Sequence, residues 1–282
     1  MLLLSAKPVT EALRKEVSHR AAQFKKKHGR APKLSVLIVG EDPASVIYVR
    51  KKGETAEELG LAHETIRFPA SAGVAEVRDA IFKLNADKNV DGILLQQPLP
   101  PTFKSEDFLL WVAPEKDVDG FHPQNLGRLM QGLPGLKPCT PYGAMKLLEH
   151  YKIEVKGKLA CVVGRSVIVG KPAAQLLMQA DATVIQCHSK TANLKSLTSQ
   201  ADILIVAAGK QELIGSEHVR KGAVVVDVGI HRKPDGKVCG DVKFEEVSKV
   251  ASALTPVPGG VGPMTILMLM SNTVSAAEAR EA

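Results

Sequence analysis

The sequence is poor in the residues and motifs that mark several large classes of protein. Aromatic residues make up 4% of its 282 residues, which argues against the base-stacking surfaces of single-stranded nucleic-acid binders. No apolar run approaches the length that a membrane span requires. The H-E-x-x-H motif and the G-x-x-x-x-G-K-[ST] phosphate loop are both absent. We therefore expect a soluble globular protein with no membrane span, no bound nucleic acid and no metal centre.

Cysteines are few, and none is placed in a metal or redox motif. The four, Cys139, Cys161, Cys187 and Cys239, are far apart and form no C-x-x-C pair. Two of them lie in or beside apolar runs, where burial is the expected role. Cys139 lies in a proline-flanked turn with no obvious neighbouring base, which favours a structural role over that of a nucleophile. No secretory or mitochondrial targeting signal is evident, so the cytoplasm is the expected location.

The net charge of +7 and the isoelectric point near 9.2 invite the hypothesis of a polyanionic partner. The densest basic run, Lys25–Arg30, falls where a helix is predicted to end, with Gly29 as its cap. Cations there complement the helix dipole, which is a sufficient structural explanation. A small anionic ligand would also exploit the positive charge, and nothing else in the sequence supports nucleic-acid binding.

Helical and strand patterns alternate along the chain, which is typical of an α/β protein with a helix-covered parallel sheet. Strands are predicted at Leu34–Val39, Glu64–Phe68, Gly92–Gln96, Leu159–Val163, Thr183–Cys187, Ile203–Ala207 and Val224–Val228. Helices are predicted at Thr10–Lys27 with Thr10 as N-cap, Ser45–Leu59, Val74–Asn85, Tyr142–Tyr151, after Pro172, and from Met264 onward. The proline-rich break before Tyr142 marks the predicted domain boundary. The first domain then comprises residues 1–141, with the last helix, 264–282, packing back on it, and the second comprises residues 142–263.

The segment from Leu159 to Cys187 has the pattern strand, glycine turn, helix, strand. Gly164 and Gly170 flank the turn, and Pro172 suits the first turn of the helix. Such a unit offers free backbone N–H groups to a phosphate at a helix N-terminus. The spacing departs from G-x-G-x-x-G, so an ordinary strand–helix–strand crossover remains an alternative.

The residues after the two strands favour NADP over NAD. A site for NAD usually carries an acidic residue about 20 positions on, which binds the ribose 2′-hydroxyl. Here the second strand is followed by His188, Ser189 and Lys190, and Arg165 follows the first glycine. A 2′-phosphate would find partners among these side chains.

Two further groups of polar residues are candidates for chemistry. Tyr48 and Lys52 are four residues apart and share a helix face, so they could form an acid/base pair, although an ordinary solvent-facing pair is the simpler alternative. Asp117 and Asp119 could bind Mg²⁺ or an amine-bearing heterocycle. Ser166 lies in a sequence like the G-x-S-x-G elbow of hydrolases, but Ile168 replaces the last glycine and weakens that reading. The Tyr-x-x-x-Lys pair of short-chain dehydrogenases follows their glycine loop, whereas here it precedes the loop, so that family is rejected.

Taken together, several stretches resemble the bifunctional methylenetetrahydrofolate dehydrogenase/methenyltetrahydrofolate cyclohydrolase family. They are YVRKKGETAEELG at Tyr48–Gly60, DGILLQQP at Asp91–Pro98, PEKDVDGFHPQN at Pro114–Asn125, PCTP at Pro138–Pro141, VVGRSVIVGKP at Val162–Pro172, CHSKT at Cys187–Thr191 and TPVPGGVGPMT at Thr255–Thr265. They span almost the whole chain in the order of the family.

The resemblance implies an N-terminal α/β folate domain, a Rossmann-like NADP domain with a parallel sheet, and a cleft between them, usually in a homodimer. It implies oxidation of 5,10-methylenetetrahydrofolate with NADP⁺ and hydrolysis of the methenyl product to 10-formyltetrahydrofolate, with or without a polyglutamate tail on the substrate. The catalytic and substrate-binding residues it implies are Tyr48, Lys52, Gln96, Asp119, Gly260, Gly262 and Pro263. The cofactor-binding residues are Gly164, Arg165, Ser166, Gly170, His188, Ser189 and Ile230.

Three positions depart from the family pattern. Glu54 stands where many relatives carry a second lysine, Gln97 where an apolar residue is common, and His231 where asparagine is usual. Glu54 could alter the electrostatics near Lys52 and weaken the hydrolytic step. A dehydrogenase-only enzyme and a non-catalytic NADP or polyanion binder are therefore kept as alternatives.

Overall fold

The structure, a computed structural model, describes residues 1–104 and 107–281 and divides into two compact units. One unit contains Met1–Glu11 and Thr140–Thr265, and the other contains Ala12–Cys139 and the chain from Ile266 onward. Within the described residues the first unit is built on a six-stranded parallel sheet and the second on a three-stranded parallel sheet. We call them the six-stranded unit and the three-stranded unit.

The elements alternate as an α/β fold requires. The strands are β1 (Leu2–Leu3), β2 (Lys33–Val39), β3 (Ala62–Phe68), β4 (Gly92–Leu95), β5 (Leu159–Val163), β6 (Thr183–Cys187), β7 (Ile203–Val206), β8 (Val224–Asp227), β9 (His231–Arg232), β10 (Val238–Cys239) and β11 (Ala253–Leu254). The α-helices are α1 (Ala6–His28), α2 (Pro43–Glu58), α3 (Val74–Ala86), α4 (Pro123–Met130), α5 (Cys139–His150), α6 (Gly170–Gln179), α7 (Leu194–Thr198), α8 (Phe244–Val247) and α9 (Val261–Arg280). No helix in the described ranges is both long and apolar enough to cross a membrane.

The three-stranded unit has the strand order β3-β2-β4, and its central strand, β2, is buried from Leu34 to Val39. Helix α2 begins where the Asp42 carboxylate accepts the N–H of Ser45, with Pro43 in its first turn. Its buried residues recur every three or four positions, which turns one face toward the core. Lys52 belongs to that buried face, so the fold places a lysine where an apolar side chain would be ordinary.

The six-stranded unit has the order β1-β11-β8-β7-β5-β6. Strand β5 is followed in the chain by β6 on one side of it and by β7 on the other, so the direction of winding reverses at β5. Open α/β sheets bind their ligands at such a reversal, beyond the carboxyl ends of the strands. Buried apolar residues from β5, β7 and β8 form the core against the helices.

The predicted α/β class and the parallel sheet are confirmed, whereas some predicted boundaries are wrong. Helix α1 begins at Ala6, four residues before the predicted start, and Thr10 lies inside it with its hydroxyl donating to the Lys7 carbonyl oxygen at 2.8 Å. Pro8 lies in the first turn, where its missing N–H has no cost. The predicted first domain also began at residue 1, but Met1–Glu11 belongs to the six-stranded unit because β1 pairs with β11.

Candidate active site

Lys52 is the centre of a polar cluster in the three-stranded unit. Its side chain projects from α2 and is about 9% exposed. The Nζ atom donates to Oε1 of Gln96 at 2.9 Å, immediately beyond the end of β4. The amide of Gln96 is itself oriented, because its Nε2 donates to the Gln97 carbonyl oxygen. A helix and a strand therefore hold one ammonium group in a defined place.

Burial dominates the electrostatics of this lysine. It lowers the pKa of Lys52 below the usual value, and the nearby carboxylate of Asp119 partly opposes the shift. Many protein atoms surround the Asp119 carboxyl group, and the loss of hydration raises its pKa to about 6 although the Lys52 charge acts in the other direction. An amine and a carboxyl group with their pKa values pushed toward neutrality are typical of a site for proton transfer.

The loop that carries Asp119 is held by buried polar side chains on either side. Lys116 is 2% exposed, and its Nζ donates to the carbonyl oxygens of Leu84, Asn85 and Asp87 at the end of α3. Asn272 of α9 donates through Nδ2 to the carbonyl oxygens of Val118 and Lys137, each at 2.8 Å. The segment that leads into Asp119 is therefore fixed at Lys116 and at Val118.

Asp117 has a structural role in that loop. Its Oδ2 accepts the N–H of His122 at 2.7 Å and Nδ2 of Asn125 at 3.0 Å. With those bonds in place Asp117 secures the loop before α4, and its neighbour Asp119 keeps some exposure. This arrangement favours the heterocycle hypothesis over the Mg²⁺ hypothesis for Asp119. A cavity lined by Leu95, Gln97, Asp119 and Phe121, among others, lies in the same unit.

The residues near Lys52 on α2 differ in exposure: some share its buried face, and others face the solvent. Tyr48, one helical turn before Lys52, is half-buried and shares its face. Glu54 is exposed and pairs with the exposed Arg50 at 3.6 Å. Glu54 is therefore turned away from the lysine, and burial rather than the neighbouring cations of the helix lowers the pKa of Lys52.

Cys139 is a buried thiol and not a nucleophile. Its Sγ donates to the Val118 carbonyl oxygen at 3.2 Å. Burial and the Asp119 charge raise the pKa of Cys139 well above its usual value, so the thiol stays protonated at neutral pH. The structural role expected from the sequence agrees with this geometry.

The glycine turn after β5 lies in the six-stranded unit. Gly164 has a φ of +144°, and a Cβ there would lie 2.3 Å from the Ala207 carbonyl oxygen. A Cβ on Gly170 would lie 2.4 Å from the Gly164 carbonyl group, so both glycines are required for the close approach of the turn to α6 and β7. The Ser166 hydroxyl accepts the N–H groups of Val169 and Gly170. Ser166 thus shapes the turn, and Arg165 beside it is exposed.

A second polar turn follows β6, the neighbour of β5. The N–H of His188 donates to the Thr191 hydroxyl at 2.8 Å, and the N–H of Lys190 donates to Nδ1 of His188 at 3.1 Å. The turn leaves Ser189 and Lys190 exposed, and the Gln186 amide ties the end of β6 to the Gly164 carbonyl oxygen at 3.1 Å. Arg165 and Ser189 therefore follow adjacent strands, and no acidic residue occurs in either turn. Both turns fit a dinucleotide that carries a 2′-phosphate.

The remaining predicted residues lie farther along the six-stranded unit. Ile230 follows β8 and is 56% exposed. Gly260 is buried in the loop between β11 and α9, whereas Gly262 and Pro263 are exposed in the first turn of α9. The structure thus brings Tyr48, Lys52, Gln96 and Asp119 together in one unit and places the remaining predicted residues in the other.

Two family models match the chain and decide its classification. The tetrahydrofolate dehydrogenase/cyclohydrolase catalytic domain matches residues 4–119, and the NAD(P)-binding domain of the same family matches residues 138–281. The chain belongs to the tetrahydrofolate dehydrogenase/cyclohydrolase family. The resemblance inferred from the seven sequence segments is therefore confirmed.

Individual relatives match over almost their full length. The bifunctional protein FolD of Bdellovibrio bacteriovorus is 50% identical over 281 residues, covering 99% of this chain and 98% of that protein. The crystal structure of the bifunctional enzyme FolD from Campylobacter jejuni has a TM-score of 0.96 at 47% identity and covers 99% of both chains. The Trypanosoma brucei enzyme, complexed with NADP cofactor and an inhibitor, has a TM-score of 0.94 at 34% identity over 100% of this chain and 98% of that one.

Sequence reasoning missed the residues that support this family's site. Lys116, Asn125 and Asn272 act through side-chain bonds to distant backbone groups. Lys116 and Asn125 lie in the PEKDVDGFHPQN segment, but the sequence of that segment does not indicate which backbone groups they bind. The one available signal is a polar residue within an apolar run, such as Asn272 after Leu267–Met270 in α9.

Proposed function

We propose that this chain oxidises 5,10-methylenetetrahydrofolate with NADP⁺ and hydrolyses the 5,10-methenyl product to 10-formyltetrahydrofolate. The observation that carries the proposal is the buried Lys52 ammonium group, which is held by Gln96 near Asp119. The same chain exposes Arg165 and Ser189 in the turns that follow two adjacent strands. Relatives that match over nearly the full chain are bifunctional methylenetetrahydrofolate dehydrogenase/cyclohydrolases, and one of them is complexed with NADP.

In the dehydrogenase step the residues of the chain chiefly bind and orient. Bound NADP⁺ supplies the acceptor for the hydride that leaves the one-carbon bridge. The turn at Gly164–Gly170 would hold its diphosphate, and Arg165 and Ser189 would hold its 2′-phosphate. Asp119 would hydrogen-bond the pterin ring, and Tyr48 would line the slot for it. Proximity and orientation can supply much of the rate of such a step.

The hydrolytic step requires proton transfer, which is the proposed role of Lys52. Water adds to the one-carbon bridge of the methenyl cation and loses a proton. The ring nitrogen then gains a proton, the bond from that nitrogen to the bridge carbon breaks, and the remaining hydroxyl proton leaves as the formyl carbonyl group forms on N10. The net products are 10-formyltetrahydrofolate and one proton. A lysine whose pKa is lowered by burial can accept and return these protons, and Gln96 holds its Nζ in place.

The dehydrogenase-only alternative rested on Glu54. In the structure Glu54 is exposed and paired with Arg50, so its position gives no reason for a weakened hydrolytic step. Assay of methenyltetrahydrofolate hydrolysis without nucleotide tests this directly: hydrolysis supports the bifunctional enzyme, and its absence alongside NADP⁺ reduction supports a dehydrogenase alone. Absence of both activities would support the non-catalytic alternative.

We also propose a homodimer that accepts polyglutamylated folates, on the strength of the family resemblance. Sedimentation equilibrium should give twice the 30.2 kDa chain mass. A series of substrates with lengthening glutamate tails should show KM values no higher than that of the monoglutamate, because the chain has a net charge of +7.

Arg165→Ala is expected to weaken NADP binding by about 10- to 100-fold, the effect of losing a charge-assisted hydrogen bond. The 2′-hydroxyl of NAD carries no charge, so NAD affinity should change by less than about threefold. Titration with both nucleotides provides the measurement. Arg220→Ala is the matched control, because Arg220 is an exposed arginine of the same unit near the amino end of β8, paired with Asp202. Equal weakening of NADP and NAD would contradict the proposed contact.

Asp119→Asn is expected to shift the lysine-dependent limb of the pH profile of hydrolysis to lower pH. The Asp119 carboxylate raises the pKa of Lys52 against the larger effect of burial. Without that charge the pKa of Lys52 falls further, whichever protonation state is the active one. The measurement is kcat/KM for hydrolysis across pH, with each profile normalised to its own maximum. An unchanged limb or one moved to higher pH would show that Lys52 does not sense this carboxylate.

A further inference from the structure

A buried carboxylate in the six-stranded unit joins the loop after β7 to the segment after β8. Asp241 follows β10, and its side chain is fully buried. Its Oδ2 accepts the N–H groups of Ala208 at 2.6 Å and Gly209 at 2.9 Å, in the loop after β7. One carboxylate oxygen is therefore used entirely to hold the backbone at the carboxyl end of β7.

The other oxygen of Asp241 holds the segment after β8. Nε2 of His231 lies 2.6 Å from Oδ1, and the His231 side chain is 22% exposed. His231 is the first residue of β9, which pairs with β10 in an antiparallel hairpin. Asp227, at the end of β8, binds the N–H groups of Gly229, Asp241 and Val242 and so fixes Asp241 itself. Among the described partners of the Asp241 carboxylate, His231 contributes a side chain, whereas Ala208 and Gly209 contribute backbone N–H groups.

The position of the two loops identifies the part of the ligand that they face. The glycine turn follows β5 and the Ser189 turn follows β6, whereas β7 and β8 lie on the other side of β5. In a sheet of this winding a dinucleotide lies across the carboxyl edge, with its halves on opposite sides of the reversal. If the 2′-phosphate of the adenosine half lies at β6, the nicotinamide half lies at the loops after β7 and β8. Ile230, the exposed neighbour of His231, is in the second of these loops.

We propose that His231 is a positioning residue for the dehydrogenase half of the enzyme. Through its hydrogen bond to Asp241 it holds the loops after β7 and β8 in the arrangement that receives the nicotinamide half of NADP. It touches neither substrate in this account. The inference rests on the proposed function, because it requires that the six-stranded unit binds NADP.

The two proposed activities give the test its internal control, since Lys52, Gln96 and Asp119 all lie in the three-stranded unit. His231→Leu removes the donor, and His231→Gln keeps an N–H at a similar distance from the backbone. We expect His231→Leu to raise the KM for NADP⁺ by about tenfold, the effect of losing a hydrogen bond to a charged group. Hydrolysis of methenyltetrahydrofolate without nucleotide should stay within about twofold of the parent, and His231→Gln should recover most of the lost affinity.

Matched variants separate positioning from general damage. His218→Leu removes a histidine of similar exposure, 16%, that lies beside Glu217 before the amino end of β8, and it should leave the KM for NADP⁺ unchanged. If His231→Leu does not fold, the isosteric pair His231→Gln and His231→Glu still decides the matter, because only glutamine retains the donor.

Three results would overturn the proposal. They are an unchanged KM for NADP⁺ in His231→Leu, equal losses in both activities, and equal behaviour of the glutamine and glutamate variants. Failure of the proposed function itself is distinguishable, because the parent protein would then show no NADP⁺ reduction with methylenetetrahydrofolate.

Discussion

Replacing Lys52 with methionine is expected to lower the rate of methenyltetrahydrofolate hydrolysis by about 10²- to 10⁴-fold, the usual contribution of a positioned acid/base group. Methionine fills a similar volume without a titratable group. The Gln96 amide then loses its partner at 2.9 Å. Binding of NADP should be retained, because its proposed contacts lie in the six-stranded unit.

The measurement is the rate of methenyltetrahydrofolate hydrolysis by the purified variant in the absence of nucleotide. Titration of the same preparation with NADP then measures cofactor binding. Lys51→Met is the matched control, because Lys51 is the exposed neighbour of Lys52 on α2 and carries the same charge. The control should hydrolyse at close to the parent rate. Hydrolysis by Lys52→Met within threefold of the parent would remove Lys52 from the mechanism.

Lys116→Met is expected to lower the free energy of unfolding by about 3 kcal/mol, because three carbonyl oxygens lose a charged donor in a buried position. The Lys116 Nζ lies 2.9, 2.8 and 2.6 Å from the carbonyl oxygens of Leu84, Asn85 and Asp87. These groups end α3, where the helix has no further N–H to offer them. The Lys116 backbone oxygen also accepts the N–H of Ile93 in β4 at 2.8 Å. Loss of the side chain therefore loosens the helix end and the start of the Asp119 loop together.

Equilibrium urea unfolding of parent and variant, monitored by circular dichroism, provides the comparison. Lys83→Met serves as the control, because Lys83 is exposed in the last turn of α3 and should change stability by less than about 0.5 kcal/mol. A Lys116→Met protein as stable as this control would show that the three bonds contribute nothing net. The partly exposed Arg30 and Arg280 pair with the buried Asp91 in the same unit, and both changes leave these ion pairs intact.

The parts of the fold that the sequence predicts well are those with strong local signals. Strands β5 and β6 are predicted to the residue, because apolar runs end at Gly164 and at the polar turn after Cys187. The shared helix face of Tyr48 and Lys52 also follows from helical spacing, although the spacing alone favours an ordinary solvent-facing pair. The prediction of NADP rather than NAD depends only on the charged and polar residues that follow two adjacent strands. Short stretches of sequence are thus sufficient to predict the glycine turn after β5 and the face of α2 that carries Lys52.

The remainder depends on contacts between distant residues. Strands β1 and β11 have two residues each and depend on pairing with distant strands: β1 pairs with β11, with register Leu2 to Ala253, and β11 also pairs with β8. No periodicity can indicate so short a strand. The hydrogen bond from Asn272 to the Val118 carbonyl oxygen joins residues that are 154 positions apart in the sequence. Thr10 was a reasonable N-cap by residue type, but Pro8 and the hydroxyl of Ser5, 3.4 Å from the Lys7 nitrogen, set the true start of α1.

We propose that burial, which lowers the pKa of Lys52, prepares this lysine for proton transfer at neutral pH. An NMR titration of protein labelled with ¹³C at lysine Cε, with the Lys52 resonance assigned by its absence from Lys52→Met, measures this property directly. The structure predicts a Lys52 pKa below the usual lysine value of 10.5, and a further decrease in Asp119→Asn. A Lys52 pKa at or above 10.5, insensitive to Asp119, would contradict the account.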